Sequence, residues 1–165
     1  MHDVEVLVDV RSSPYAKYST HFNQSSLSAT IKLAGLKYLF MGAEIGGMPK
    51  NPEFYDDEGY VLYWKIAESP EFKESITRIL NGIRLYKVTL MCGEENPAGC
   101  HRRLLISRVL KSHGLTVNHI RGDGHLESED EMLASEKEQH VQLTLFNQQA
   151  DEEEEWKSKQ IVRTL

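Results

Sequence analysis

The fold is decided by the stretch Val4-Glu5-Val6-Leu7-Val8-Asp9-Val10. Its density of valine and leucine is typical of a strand that is buried on both faces of a sheet. Further strands are expected over residues 36–41, 85–91 and 115–120, where short apolar runs recur. Four strands of this kind favour a sheet at the centre of the domain.

Helical segments separate the expected strands. They cover residues 25–35, 61–68, 70–81 and 100–113. Pro70 stands at a favourable first-turn position, and Gly114 ends the last helix. This alternation predicts an α/β domain of the three-layer, Rossmann-like kind, with a mainly parallel sheet and helices on both faces. In such sheets ligands gather at the carboxyl ends of the strands.

The charge of the chain is divided unevenly. Residues 1–122 hold 15 Lys and Arg against 13 Asp and Glu, whereas residues 123–165 hold 4 against 12, within a net charge of −6. We therefore predict an α/β domain over residues 1–124 and an acidic, partly disordered tail over residues 125–165. Two cysteines are too few for a disulfide scaffold. No apolar run is long enough for a signal peptide or a membrane span, which predicts a cytoplasmic protein without a membrane partner.

The tail carries the peptide Gln142-Leu143-Thr144-Leu145-Phe146. It resembles the bacterial sliding-clamp-binding motif, whose usual form is Gln-Leu-Ser/Asp-Leu-Phe. The resemblance implies that Gln142 makes polar contacts at the rim of the clamp's groove, while Leu145 and Phe146 fill an apolar pocket. The DNA polymerase sliding clamp is thus a candidate partner. The same residues are explained without a partner by a strand face of Val141, Leu143 and Leu145, or by a helix stripe of Leu143 and Phe146.

Polar side chains follow three of the expected strands. They are Asp9, Arg11 and Ser12 after the first strand, Glu44 and Gly46-Gly47 after the second, and Cys92, Glu94, Cys100, His101 and Arg102 after the third. Because the carboxyl ends of parallel strands meet at one edge, we expect these side chains to surround one charged site.

These residues also carry a resemblance to a known family, the bacterial and archaeal proteins grouped as domain of unknown function 488. The resemblance covers roughly residues 4–124, and its most specific signature is the block Cys100-His101-Arg102. The other matching pieces are Asp9-Val10-Arg11-Ser12, Pro14, Phe22, Leu39 through Gly46-Gly47, Tyr60, Phe72, Met91-Cys92, Glu94, and Val117 through His119-Ile120. Members typically begin with a further strand carrying Thr-Ile-Gly-His-Ser and a helix. We expect this chain to be a shortened or truncated member, because it starts after that segment. The resemblance implies a fold and motif positions, but no reaction.

The charged residues admit a functional and a structural interpretation. Arg11, Ser12 and Arg102 are candidates for binding an anion, since Arg102 lies in the first turn of a helix. Asp9 and Glu94 are candidates for a general acid and base, or for ligands of a divalent ion. Alternatively, the arginines pair with these carboxylates and only hold the loops together.

The two cysteines admit three interpretations. Cys100 is a candidate catalytic thiolate, since the helix N-terminus, His101 and Arg102 would lower its pKa. Cys92, Cys100 and His101, with His119, could form a metal site, but the Cys-x7-Cys-His spacing is not a familiar zinc pattern. We therefore assign no metal and leave the cofactor unknown. A structural role is favoured for Cys92, and His119 resembles a core histidine.

Three functions are consistent with this pattern. The first is a hydrolytic, repair-related enzyme on nucleic acid or nucleotides, recruited through the sliding clamp, with catalytic groups on Asp9, Glu94, Cys100 and His101. The second is a non-catalytic adaptor that binds a nucleotide or phosphate group. The third is a thiol-based redox or sulfur-carrier protein that uses Cys100.

Overall fold

Three parallel strands form the central sheet of the protein. The computed structural model describes residues 2–144 and 156–162, with the backbone alone over residues 139–144. The strands are β1 (Val6–Asp9), β2 (Lys37–Phe40) and β3 (Val88–Met91), in the spatial order β2-β1-β3. In this register Asp9 lies opposite Phe40 on one side and Met91 on the other. The three strands therefore end at the same edge, as predicted.

Helices flank this sheet and complete the α/β fold that the sequence predicts. They are α1 (Gln24–Leu33), α2 (Gly42–Ile45), α3 (Tyr63–Glu68), α4 (Pro70–Ile83), a π-helical stretch (Arg102–Ser107) that continues into α5 (Arg108–Ser112), and α6 (Glu129–Thr144). Short 3-10 turns occur at Thr20–Phe22, Pro52–Phe54 and Pro97–Gly99. None of the helices within the described residues is long and apolar enough to cross a membrane.

Helix α4 illustrates how local sequence specifies these elements. The Ser69 side chain accepts a hydrogen bond from the Phe72 N–H at 3.3 Å, and Pro70 occupies the first turn, where no backbone donor is needed. The buried residues Phe72, Ile76 and Ile79 recur at helical spacing on one face. They pack into the core formed with Val6, Val8, Val10, Met41, Ile45, Val61, Tyr63, Ile66, Leu105, Ile106 and Leu110.

The expected fourth strand does not extend the parallel sheet. Instead β4 (Asn118–Ile120) pairs antiparallel with β5 (Leu126–Ser128) in a separate two-stranded sheet. The turn between them uses Gly124 at φ +89°, a conformation that glycine adopts without strain. The buried His119 ring is fixed to the Glu129 carboxylate at 2.7 Å, which holds the hairpin against α6. His119 is therefore a core histidine.

The C-terminal segment, residues 156–162, packs against the domain. The backbone N–H of Ser158 donates to the Val61 carbonyl, and its Oγ accepts from the Val61 N–H, both at 2.9 Å. The Trp156 indole N–H donates to the Leu104 carbonyl at 2.7 Å. This segment therefore covers backbone groups that would otherwise lie at an edge of the core.

Candidate active site

A cleft of about 400 Å³ opens where β1 and β3 end. Three loops that follow the strands supply most of its wall, and the C-terminal segment and Tyr63 of α3 supply the rest. The lining residues are Arg11, Ser12, Ser13, Gly47, Met48, Tyr63, Cys92, Gly93, Glu94, Gly99, His101, Ser158, Gln160, Ile161 and Val162. The position is the one at which open α/β sheets usually hold their ligands.

His101 is fixed in a single orientation beneath this cleft. Its Nε2 lies 3.0 Å from the Val10 carbonyl oxygen, which can only accept a hydrogen bond. Nε2 therefore carries the proton, and Nδ1 of the neutral ring presents a lone pair. That lone pair faces two sulfur atoms, Cys92 Sγ at 3.7 Å and Cys100 Sγ at 3.9 Å.

The glycine pair after β2 allows a close approach to this ring. A Cβ atom on Gly47 would lie 2.7 Å from Cγ and Nδ1 of His101. A Cβ on Gly46 would lie 2.4 Å from the Ser12 hydroxyl, which in turn accepts a hydrogen bond from the Met48 N–H at 2.8 Å. The two glycines therefore let the loop after β2 close over the strand ends.

The two cysteines differ in their access to the cleft. Cys92 is half-buried and lines the cleft, whereas Cys100, which the sequence pattern favoured as the reactive thiol, has an exposed fraction of 0%. A hydrogen bond from the Cys100 thiol lowers the pKa of Cys92, against the effect of burial, and the His101 ring lowers it further when Nδ1 takes up the thiol proton. Donating that hydrogen bond, together with burial, raises the pKa of Cys100. The accessible sulfur is thus that of Cys92.

Asp9 and Arg11 form a buried ion pair below the cleft. Arg11 donates from Nε and Nη2 to the two carboxylate oxygens of Asp9, at 2.9 and 2.6 Å, and Tyr38 donates its hydroxyl to Asp9 at 2.7 Å. Burial raises the pKa of Asp9, but these hydrogen bonds outweigh burial and leave the pKa below its ordinary value. Asp9, a candidate acid or base from the sequence, is fully buried and is not among the cleft-lining residues. It fixes Arg11, which does line the cleft.

Glu94 and Arg102 occupy different positions relative to the cleft. Glu94 lines it, and burial together with the nearby Cys92 raises the pKa of its carboxyl group. Arg102 instead lines a separate cavity beside β3 and β4, and it donates to the Glu95 carbonyl at 3.3 Å. Arg11 and Arg102 therefore do not line one common cleft.

The sequence pattern missed two features of this region. The first is the wall formed by residues 158–162, whose contacts join positions almost a hundred residues apart along the chain. The only sequence signal was the return of apolar residues after the acidic run. The second is the loop after β1, where Tyr15, Tyr18 and Phe22 are exposed aromatic residues.

The peptide that resembles a clamp-binding motif lies at the limit of the described residues. Gln142 and Leu143 belong to the backbone of α6, whereas Leu145 and Phe146 lie outside the described residues. Clamp binding thus stays a prediction from the sequence.

Comparison with known proteins identifies the family of the chain. Residues 1–109 match the protein family described as domain of unknown function DUF488. No functionally curated protein and no solved structure matches the chain. The matched region includes the three-stranded sheet, Cys92, Glu94, and the Cys100-His101-Arg102 block. The chain therefore belongs to the DUF488 family.

Proposed function

We propose that the chain is an enzyme that hydrolyses a nucleic acid or nucleotide substrate in the cleft at the ends of β1 and β3. The observation that carries this proposal is the convergence of Arg11, Ser12, Cys92, Glu94 and His101 around that cleft. Cationic, acid–base and soft nucleophilic groups that meet in one cleft from separate strand ends are typical of a catalytic site.

The charge distribution supports a phosphate-bearing substrate. Residues 11–43 contain Arg11, Lys17, Lys32 and Lys37 but no Asp or Glu, within a chain whose net charge is −6. A locally basic surface attracts phosphate groups even when the whole protein is acidic. Arg11 and Lys17 of this region belong to the loop after β1, whose first residues line the cleft, whereas Lys37 begins β2 at the opposite edge of the sheet.

The same loop supports recognition of a base. Tyr15, Tyr18 and Phe22 are 68%, 91% and 47% exposed, and the Lys17 ammonium lies 5.5 Å from the centroid of the Tyr18 ring. Exposed aromatic rings beside cations stack on unpaired bases and contact the adjoining backbone. The preferred substrate of this proposal therefore presents an unstacked base, in a single strand or flipped out of a duplex.

Three of the lining residues have a defined role in this proposal. Arg11 binds a phosphate oxygen through Nη1, which donates to none of the described residues, while Nε and Nη2 remain on Asp9. Glu94 accepts the proton of the attacking water and returns it to the leaving group. Ser12 orients the loop after β2 through its hydrogen bond from Met48.

The test is a turnover assay on a panel of substrates. It includes single- and double-stranded DNA with and without damaged bases, RNA and free nucleotides. We expect turnover by the wild type and a loss of roughly 100-fold or more in Glu94→Gln, with binding retained. The matched control is Glu95→Gln, because Glu95 is not among the residues that line the cleft and accepts hydrogen bonds from Arg121 and Gly122.

Two results would contradict the hydrolytic function. One is a wild type that binds members of the panel without turning any of them over, which is the behaviour of an adaptor. The other is Glu94→Gln with the same rate as Glu95→Gln.

A second candidate function is thiol-based group transfer at Cys92, supported by the His101 lone pair that faces this sulfur. The sequence pattern favoured Cys100 for this role, but that thiol is fully buried. Mass spectrometry after brief treatment with iodoacetamide should find Cys92 alkylated faster in the wild type than in His101→Gln. Equal rates in the two proteins would remove this candidate.

A further inference from the structure

We propose that Cys92, Cys100 and His101 bind a zinc ion whose fourth coordination position opens into the cleft. This inference rests on the proposed hydrolytic function in one respect: it names the group that would supply activated water to the same site. Binding itself can be measured without any turnover.

The spacing of the three donor atoms fits a tetrahedral ion. Cys92 Sγ, Cys100 Sγ and His101 Nδ1 all lie within 4.8 Å of one another. Bond lengths of about 2.3 Å to sulfur and about 2.0 Å to nitrogen place a sulfur and a nitrogen ligand roughly 3.6 Å apart in a tetrahedral site. The observed sulfur–nitrogen distances are 3.7 and 3.9 Å. Small side-chain shifts would therefore close the site around an ion.

The orientation of His101 is the one that a metal ligand requires. A metal-binding histidine usually donates its second ring N–H to a carbonyl or carboxylate, which fixes the tautomer. Here Nε2 is committed to the Val10 carbonyl, so the Nδ1 lone pair is directed at the sulfurs. An ion at this point would engage the nitrogen and both sulfurs together.

The choice of ion follows from the ligand types and their burial. Two thiolates and one imidazole suit Zn²⁺ better than hard cations such as Mg²⁺ or Ca²⁺. Two thiolates also neutralise the charge of a divalent ion, which permits the buried position of Cys100. The Cys-x7-Cys-His spacing reflects the positions of the ligands in the fold. Cys92 directly follows β3, whereas Cys100 and His101 directly precede the next helix.

Three protein ligands among the residues that the structure describes indicate a catalytic rather than a structural ion. Structural zinc sites have four protein ligands, while catalytic sites have three and keep one position for water. Cys100 and His101 are buried, but Cys92 lines the cleft, so the fourth position faces that side. Glu94 lines the same cleft and is the carboxylate placed to take a proton from the bound water.

The test begins with the reduced full-length protein, freed of metal by dialysis against a chelator. Addition of Co²⁺ should give the visible bands of a tetrahedral, thiolate-bound ion at one equivalent per chain, and Zn²⁺ should displace it. Cys92→Ser, Cys100→Ser and His101→Gln should each lower the Zn²⁺ affinity by more than the roughly 10–100-fold associated with losing a residue that hydrogen-bonds to a metal ligand. The matched control is His113→Gln, since His113 is an exposed histidine at the end of α5.

A measurement on the wild type avoids any folding defect of the buried variants. Zn²⁺ should slow the alkylation of Cys92 by iodoacetamide, and a chelator should restore it. Two results would overturn the metal site. One is Co²⁺ uptake well below one equivalent, and the other is alkylation of Cys92 at the same rate with and without Zn²⁺.

Different results would contradict the metal site and the proposed function. Stoichiometric Zn²⁺ binding without turnover on the substrate panel would retain the site and contradict the hydrolysis. Full turnover by the metal-free protein would retain the hydrolysis and contradict the role of the ion in activating water.

Discussion

At the scale of single residues, the strongest constraint on the cleft is the pair formed by Asp9 and Arg11. Asp9 ends the central strand and is fully buried, so its charge requires partners. Arg11 and Tyr38 supply three side-chain hydrogen bonds to its carboxylate. The guanidinium is held in place before any substrate arrives, which is the arrangement expected of a preorganised anion site.

Replacing Asp9 by Asn tests this arrangement through stability and its pH dependence. We expect Asp9→Asn to lower the free energy of unfolding at neutral pH by about 3–5 kcal/mol, because it leaves the Arg11 charge without its buried partner. The folded state holds the pKa of Asp9 below the ordinary value of 3.8. The stabilisation is therefore complete above about pH 4 and declines as the pH falls toward the lowered pKa. The measurement is urea unfolding of both proteins over a pH series.

The control for this prediction is Asp57→Asn, because Asp57 is an exposed carboxylate. We expect its effect to stay within about 0.5 kcal/mol at every pH. An Asp9→Asn protein as stable as this control would show that the ion pair contributes nothing. If the difference in free energy of unfolding between the wild type and Asp9→Asn increased as the pH fell, the lowered pKa of Asp9 would be contradicted.

The sequence identified most residues of the candidate site but not their exposure. Arg11, Ser12, Glu94 and His101 were identified because they follow strands whose ends must meet at one edge. Which of two cysteines reaches solvent depends on how the next helix packs, and no local pattern contains that information. The preference for Cys100 over Cys92 was therefore reversed by tertiary burial.

At the scale of elements, the loop after β2 is the part that closes the site. Gly47 packs directly on the His101 ring, and Ser12 binds the next backbone N–H of the loop. The sequence showed a glycine pair here without showing what it contacts, because the contact joins positions more than fifty residues apart.

Gly47→Ala is predicted to disturb the His101 ring. The new Cβ would lie 2.7 Å from two ring atoms, so either the loop or the imidazole must move. We expect a loss of about 1–3 kcal/mol in the free energy of unfolding, typical of overpacking. Weaker Co²⁺ binding should accompany it, because the shift moves Nδ1. Urea unfolding and the Co²⁺ titration measure the two effects.

The matched control is Gly99→Ala. Gly99 also lines the cleft, but a Cβ there has no heavy atom within 4 Å. Its stability and Co²⁺ affinity should remain those of the wild type. Similar losses of stability and Co²⁺ affinity in both variants would mean that they do not arise from the contact between Gly47 and His101.

The elements that the sequence predicted best are those in which the hydrophobic pattern and the residues at the ends indicate the same secondary structure. Strand β1 is apolar on both faces, and α4 has a serine cap, a first-turn proline and an apolar stripe. The fourth strand was placed wrongly because its apolar residues also suit a hairpin. The Gly124 turn and the hydrogen bond between His119 and Glu129 favour the hairpin over a fourth strand of the parallel sheet. Both depend on residues that lie outside the strand itself.

At the scale of the whole molecule, basic and acidic residues are concentrated in different parts of the chain. The edge around the cleft adjoins an acid-free basic segment, whereas residues 151–155 form an acidic run. The net charge of −6 opposes nonspecific binding to the nucleic acid substrate that we propose. A second attachment point near the replication machinery would offset that weakness, because tethering raises the local concentration of a weakly binding domain.

The last prediction concerns that attachment point. The pentapeptide ending at Phe146 should retain the protein on an immobilised sliding clamp, and Leu145→Ala/Phe146→Ala should weaken binding by more than tenfold. The reason is that a buried aliphatic and aromatic pair usually supplies about 2 kcal/mol or more of such an interface. The control is Gln148→Ala/Gln149→Ala, which changes two residues just beyond the motif. Equal retention of both double variants, or no retention of the wild type, would contradict clamp binding. Turnover on short oligonucleotides should be the same in all three proteins, because recruitment changes where the cleft acts and leaves its chemistry unchanged.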